Sequence, residues 1–338
     1  MRVIGKAAAA AALFTTALGA WGQAQGPSQA QPTTQAPSGT GPAWPGRPVK
    51  FIASFPPGTP GDMVLRLIQP QLQQALGQPV VVENRPGAGG NIGAQEVARA
   101  TDGHTFLVGP DTMQTVNPHL YKKLSFKPVE DLVLVTYLAR TSQMLVCHPS
   151  VKARTIPDLV ALARTEKMNY ASGGPGVPGH LAMEMLLAAT STQMTHVPYR
   201  GPAPAVQDVA AGMVPCGFLA TSVAGPFVRD GKLTGLAVSG TRRVASLPNL
   251  PTAAEAGVPG FDASFFEVVA APKGTPEAVV ERLHAEIAKA LAQPETRARL
   301  ASADMEPMAS RPAEASRQMR LDFDKWGGVV ERMKLQLD

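Results

Sequence analysis

Three stretches of the chain carry residue types that could hold a ligand. Each is a Gly- and Pro-rich turn between a short apolar run and an amphipathic one. The first is Ser54-Phe55-Pro56-Pro57-Gly58-Thr59-Pro60-Gly61-Asp62, the second Asn84-Arg85-Pro86-Gly87-Ala88-Gly89-Gly90-Asn91-Ile92-Gly93, and the third Ser172-Gly173-Gly174-Pro175-Gly176-Val177-Pro178-Gly179-His180. Turns of this kind aim the unpaired N–H groups of a helix start at one point, and that point favours an anion. Glycine permits close backbone approach, proline stiffens the loop, and Asp62 is placed to cap the helix that follows.

The side chains that do covalent chemistry are not arranged to do it. There is no Gly-x-Ser-x-Gly elbow, and Ser172 and Ser239 lack the context of a nucleophile. The histidines at 104, 119, 148, 180, 196 and 284 show no His-Glu-x-x-His or comparable spacing, so no metal site is expected. Asp322 and Asp324 are two apart on a helical stretch and point to different faces, which reads as solvated surface. Arg242 and Arg243 read as surface charge.

Phosphate-binding patterns are imperfect. Gly87, Gly89 and Gly93 are spaced one residue too long for GxGxxG, although Asp111 stands near the end of the next strand. Gly174, Gly176 and Gly179 fit the pattern formally, but no acidic residue follows at the expected distance and the Lys and Ser/Thr of a P-loop are missing. A nicotinamide-dependent oxidoreductase stays open on these patterns. Nothing else implies a cofactor.

The elements that position the turns follow from the apolar pattern. Strands are expected at 49–54, 80–83, 105–108, 145–147, 195–197, 216–220 and 236–238, and helices at 62–76, 92–99, 156–164, 181–189, 206–211, 276–292 and 312–334. Thr155 and Pro157 are good cap and first-turn residues for one of them. Such alternation predicts α/β lobes with mainly parallel sheets. Ligands of open α/β sheets sit beyond the carboxyl ends of the strands, where all three turns lie. No internal repeat is evident beyond this shared strand-turn-helix rhythm.

The N-terminus predicts where the protein works. Arg2 and Lys6 precede an apolar stretch, 7–18, too short to span a bilayer, and small residues suit cleavage after Ala24 or Ala20. Residues 1–24 therefore read as a secretory signal and 25–43, rich in Pro, Gln, Ser and Thr, as a tether. The mature protein is expected to be soluble and exported. The whole chain's 31 basic and 26 acidic side chains are scattered, and aromatics make up only 5% of it, which argues against nucleic-acid binding. Cys147 and Cys216 both sit in strand-like runs; an exported compartment permits a disulfide, and buried free thiols are the plainer reading.

Together with their neighbours, these turns carry a resemblance. Phe55-Pro56-Pro57-Gly58 with Asp62 and Arg66, and Val82-Glu83-Asn84-Arg85-Pro86-Gly87-Ala88-Gly89-Gly90, are the first parts of it. Tyr170-Ala171-Ser172-Gly173-Gly174-Pro175-Gly176, His180-Leu181-Ala182 with Glu184, and His196-Val197-Pro198-Tyr199-Arg200-Gly201 continue it. Asp208 and Gly212, Gly231-Lys232-Leu233, Leu247-Pro248-Asn249-Leu250-Pro251-Thr252 and Ala271-Pro272-Lys273-Gly274-Thr275-Pro276 extend it toward the C-terminus. The chain from Trp44 onward resembles the Bug family, the extracytoplasmic solute-binding receptors of tripartite tricarboxylate transporters.

The resemblance implies an α/β, two-lobed periplasmic-binding-protein fold, type II-like, that closes on its ligand like a clam. Lobe one would combine residues 44–139 with 265–338, and lobe two would span 140–264. It implies a periplasmic receptor, monomeric and not an enzyme, that binds a small organic carboxylate and delivers it to membrane permease subunits. A sensory receptor of the same fold is the other use. Carried over by position, the lobe-one contacts are Phe55, Pro57, Gly58 and Thr59 with Asp111 and Thr112. The lobe-two contacts are Ser172, the backbone of Gly176, Val177, Gly179 and His180, then Tyr199, Arg200, Gly201, Thr221 and Ser222.

Departures from the family pattern shape the expected ligand. Thr59 stands where relatives have a second glycine, Arg200 replaces a common Lys, and Val177-Pro178 replaces small polar residues. Pro178 has no N–H and Val177 no hydroxyl. One carboxylate held by backbone groups is therefore expected, its apolar or aromatic body lying against Val177, Phe55 and Phe266. Citrate is expected to bind worse, because a charged group against an apolar wall loses water without gaining a partner.

Overall fold

A computed structural model describes residues 44–337. The signal and tether expected at 1–24 and 25–43 lie outside the described residues. The strands, in chain order, are β1 (Val49–Ala53), β2 (Val80–Asn84), β3 (Thr105–Pro110), β4 (Leu132–Thr141), β5 (Gln143–Cys147), β6 (Asn169–Ser172), β7 (Thr195–Pro198), β8 (Cys216–Ala220), β9 (Thr234–Val238), β10 (Phe265–Pro272) and β11 (Glu306–Pro307). The helices are α1 (Pro60–Leu76), α2 (Asn91–Ala98), α3 (Thr112–Thr115), α4 (Asn117–Leu120), α5 (Pro128–Asp131), α6 (Ile156–Thr165), α7 (Pro178–Thr190), α8 (Pro202–Ala210), α9 (Thr221–Arg229), α10 (Glu277–Ala292), α11 (Pro294–Ser302) and α12 (Pro312–Met333).

The strands form two sheets, ordered β11-β4-β10-β3-β1-β2 and β7-β6-β8-β5-β9, each flanked by helices in a two-lobed α/β arrangement. Both sheets are mixed, which corrects the expectation of mainly parallel ones. β1 runs parallel to β2 and β3, but β10 enters antiparallel to β3 and β4. β6 runs parallel to β7 and β8, while β5 is antiparallel to β8 and β9. The cause is connectivity. β4 leads directly through Ser142 into β5 of the other sheet, and β10 brings the chain back. Neither has the crossover helix that parallel pairing requires.

The crossings are fastened at Ser239. Its hydroxyl accepts the Gln143 N–H at 2.9 Å and donates to the Ala263 carbonyl at 2.7 Å. α12 ties the lobes together a third time. Its Ala315 and Met319 pack with Ile52, Leu107 and Val268 under the first sheet, while Trp326, Val329 and Val330 join Phe218 and Tyr170 under the second. Trp326 stacks on Phe265 with ring centroids 5.1 Å apart.

Local signals explain the element starts. α1, α7 and α8 each begin at a proline, whose missing N–H is no loss in the first turn. α6 starts with a reciprocal cap: Thr155 Oγ1 accepts from Asp158 N at 3.2 Å, and Asp158 Oδ2 accepts from Thr155 N at 2.9 Å. Two aspartates stand differently from their expected places. α1 starts at Pro60 with Thr59 at its cap position, so Asp62 is the third residue of the helix rather than its cap. Asp322 is buried at 7% exposure, not solvated, because α12 lies against β4 and β10. Burial pushes its carboxyl pKa up.

Candidate functional site

The first and third turns face each other between the sheets and share one local design. In each, a left-handed glycine is followed by an extended residue, then Pro-Gly at the first two helix positions, then a polar residue that reaches back to the glycine. On the first side these are Gly58, Thr59, Pro60, Gly61 and Asp62; on the second, Gly176, Val177, Pro178, Gly179 and His180. Gly58 N–H donates to Asp62 Oδ2 at 2.9 Å, and Gly176 N–H donates to His180 Nδ1 at 3.0 Å. Asp62 also accepts from Arg66 Nε at 2.9 Å and from Asn84 Nδ2 at 3.0 Å. Burial alone would raise its carboxyl pKa, but the hydrogen bonds from Arg66, Gly58 and Asn84 hold it below the usual value.

On the second side the supporting layer is aromatic. His180 stacks on His196 at 4.1 Å and His196 on Tyr170 at 4.9 Å. Ser172 Oγ lies 2.7 Å from His196 Nε2 and accepts the Gly174 N–H at 3.1 Å. Burial lowers the imidazole pKa of His180 to about 3, with His196 adding to the effect, and burial lowers that of His196 to about 4. Both rings are neutral at ordinary pH.

Two adjacent spaces lie between these turns, sharing Phe55, Gly173 and Val177 as walls. The inner chamber, about 50 Å³, is bounded by Thr59, Pro60, Pro110, Pro178, Gly179, Pro202 and Phe218 to Ala220, with Gln143 and Glu267 as its long polar side chains. The outer cleft, about 500 Å³, is bounded by Pro56, residues 86–89, Gly174, Pro175, Tyr199, Arg200 and Gly201. The lobes approach closely at its mouth. An atom at the Cβ position of Gly201 would stand 3.4 Å from Pro56 Cγ, and one at that of Gly89 would stand 3.5 Å from the Pro175 carbonyl oxygen.

The glycines at the second helix position stand in close contact with their surroundings. A Cβ on Gly61 would come 2.5 Å from Glu267 Oε2, and a Cβ on Gly179 would collide with the Phe218 carbonyl oxygen. The N–H groups of these first turns have no intrahelical acceptor. The arrangement presents backbone donors and two positive helix ends to one small volume, the setting for an anion. Among the described residues no group of His, Cys, Asp and Glu could hold a metal ion.

Of the residues expected at a site, Phe55, Thr59, Val177, Gly179, Tyr199, Arg200 and Gly201 line these spaces. Arg200 is exposed at the rim, with no ion-pair partner among the described residues. Tyr199 hydrogen-bonds Asp208 at 2.6 Å, and burial together with that carboxylate pushes its hydroxyl pKa up to about 12. Pro57 and Gly58 are exposed behind the first turn. Ser172, Gly176 and His180 form the layer beneath the third turn rather than its wall.

Asp111, Thr112, Thr221, Ser222 and Phe266 line neither space. Asp111 is buried behind β10, where Oδ1 accepts the Phe266 N–H at 3.2 Å and Oδ2 has no partner. Thr112 is buried beside it with an unpartnered hydroxyl. Thr221 donates to the Ser142 carbonyl at 3.1 Å, and Ser222 Oγ is unpartnered on α9. Phe266 packs against Tyr137 and under Arg140 on the far face of β10. Its neighbour Glu267, one residue on and hence on the opposite face, reaches the chamber instead. Gln143 and Glu267 were not expected at the site; an acid inside the apolar run of β10 is a signal that could have found Glu267, and none points to Gln143.

Residues 64–335 match the Tripartite tricarboxylate transporter family receptor, TctC. The chain is 35% identical over 297 residues to the UPF0065 protein in the tcbD-tcbE intergenic region of Pseudomonas sp., covering 87% of this chain and 88% of that one. It is 33% identical to Protein BugT of Bordetella pertussis, covering 87% and 91%. Among solved structures it is similar to R. palustris Rpa4515 with adipate, with TM-score 0.83, 32% identity and coverage of 87% and 99%. It is also similar to MatC from Rhodopseudomonas palustris with bound malate, with TM-score 0.80, 31% identity and coverage of 85% and 100%.

Proposed function

The chain belongs to the tripartite tricarboxylate transporter receptor family, whose members are periplasmic solute-binding proteins, and on that premise we propose that it captures a small organic carboxylate between its lobes and hands it to membrane permease subunits. The observation that carries the ligand class is the pair of Pro-Gly helix starts facing one another over the inner chamber. The adipate and malate bound to two relatives support the same class. The protein acts without transforming its ligand, as a monomer, after export and removal of residues 1–24.

In this reading residues 44–139 and 265–338 form one jaw and residues 140–264 the other. Backbone groups at the starts of α1 and α7, beside Thr59 and Gly179, hold the acid group, while Phe55 and Val177 flank the body and Arg200 draws anions to the mouth. The apolar character of the chamber wall favours a body of methylene or ring carbons over a hydroxyl-rich one. Native mass spectrometry of protein purified from its own host tests this. A bound acid of low mass is expected; a bound sugar, peptide or nucleotide would overturn the ligand class.

A further inference from the structure

Glu267 is the least expected side chain of the inner chamber. It is a carboxyl on a central strand, 4% exposed, and its Oε2 has no hydrogen-bond partner. No lysine or arginine lines the chamber. A buried polar atom left unpaired on the wall of a ligand space is a place where the ligand supplies the partner.

We propose that Glu267 donates a hydrogen bond, through its own carboxyl proton, to the acid group of the ligand seated in the inner chamber. The inference rests on the carboxylate-receptor reading above and names the residue that selects for the acid.

Charge decides the direction of the hydrogen bond. An ionised Glu267 would repel a carboxylate in a chamber with no cation on its wall, so only the protonated form is compatible with an anionic ligand. Burial pushes its pKa well above the usual glutamate value, and the carboxyl of Asp111 pushes further in the same direction. The other charged groups nearby do not offset this. Asp62 on α1 is engaged with Arg66 and Asn84, and Arg140 on β4 lies over Phe266 on the opposite face of the strand. Asp322 of α12 acts on Asp111 and raises its pKa too, after burial. The acid also lies beside the start of α1, its Oε2 2.5 Å from where a Cβ on Gly61 would stand, so its proton is presented at the same end of the chamber as that helix start.

Two substitutions of similar length separate the donor from the volume. E267Q keeps a hydrogen-bond donor and E267M fills the space without one. Calorimetric titration of succinate, malate, adipate and benzoate identifies the tightest of the four, and that acid is then titrated into both variants. The inference expects E267M to lose about tenfold to a hundredfold in affinity, the weight of one hydrogen bond to a charged group, and E267Q to recover most of it. It also expects adipate to outcompete 6-aminohexanoate, which carries an ammonium at one end. Equal affinity of E267M and the natural protein would overturn the inference while leaving the carboxylate receptor intact. So would loss in E267Q as large as in E267M, or preference for 6-aminohexanoate, since either means an ionised Glu267. If none of the four acids binds the natural protein, the carboxylate reading itself fails, and this inference with it.

Discussion

Asp62 and His180 occupy equivalent positions on the two sides of the cleft. Each follows Pro-Gly as the third residue of its helix and accepts the N–H of a left-handed glycine four residues back, at 2.9 Å from Gly58 and 3.0 Å from Gly176. One acceptor is an ionised carboxylate and the other a neutral imidazole. The two helix starts are thus built alike but respond to acid at different pH.

Replacing Asp62 removes an acceptor shared by Gly58, Arg66 and Asn84. Asp62→Ala is expected to destabilise the fold by about 1–3 kcal/mol, and Asp62→Asn by less, since one oxygen remains. The carboxyl pKa is lower in the fold than its ordinary 3.8, so its contribution is present above that value and is lost as pH falls through the folded value. Urea unfolding should therefore show a gap between natural protein and Asp62→Asn that is constant near neutrality and closes in strong acid. A gap unchanged by strong acid would rule out the ionised carboxylate as its source.

The histidine side yields sooner. His180 and His196 stay neutral in the fold down to about 3 and 4, whereas their unfolded forms take up protons near 6.5. Between these values the unfolded state binds more protons, so stability falls as pH falls. His180→Asn keeps an acceptor for Gly176 and removes one titrating ring. Its melting temperature should fall less steeply than that of the natural protein between about pH 6.5 and 4.5; identical slopes would contradict the neutral-imidazole account.

The two helix-start glycines should tolerate a methyl group unequally. At Gly179 it meets the fixed Phe218 carbonyl, and at Gly61 the end of the Glu267 side chain, which can swing aside. Gly179→Ala is expected to lose about 1–3 kcal/mol by overpacking, and Gly61→Ala less. Chemical denaturation of both variants measures the order. Equal losses, or a larger one at Gly61, would mean that Glu267 is held more rigidly than a lone side chain.

Cys147 and Cys216 are register partners on β5 and β8, both free and fully buried. An aromatic disulfide reagent should modify neither thiol in the native protein and both in guanidinium. Rapid native labelling would contradict the burial, and no labelling after unfolding would mean an oxidised pair.

The three turns and most helices were legible in the sequence because Gly, Pro and the apolar spacing act locally. β4 and β10 were not. Leu132-Val133-Leu134-Val135 runs into Thr136-Tyr137-Leu138 with no Gly/Pro turn and no helix after it, so the strand-turn-helix rhythm had no place for it. Both strands are the lobe crossings, and the mixed pairing they impose is a long-range fact. The faces of β10 were equally hidden. Alternation says that Phe266 and Glu267 point opposite ways but not which way, and the acid would ordinarily be assigned to solvent. Only the covering of that face by α1 and by the second lobe places Glu267 inward. The shared glycine-to-polar design of the first and third turns is hidden for a simpler reason: Gly-x-Pro-Gly recurs, but the closing residue changes from Asp62 to His180.

The most direct test of the receptor account is the shift in melting temperature of the purified mature protein with a panel of aliphatic dicarboxylates, aromatic mono- and dicarboxylates, citrate and uncharged sugars. A ligand held at about a hundred times its dissociation constant stabilises by about 2.7 kcal/mol, a rise of several degrees for a protein of this size. The account predicts such a rise with at least one apolar-bodied carboxylate and a smaller one, or none, with citrate. A rise with sugars and none with any carboxylate would contradict it.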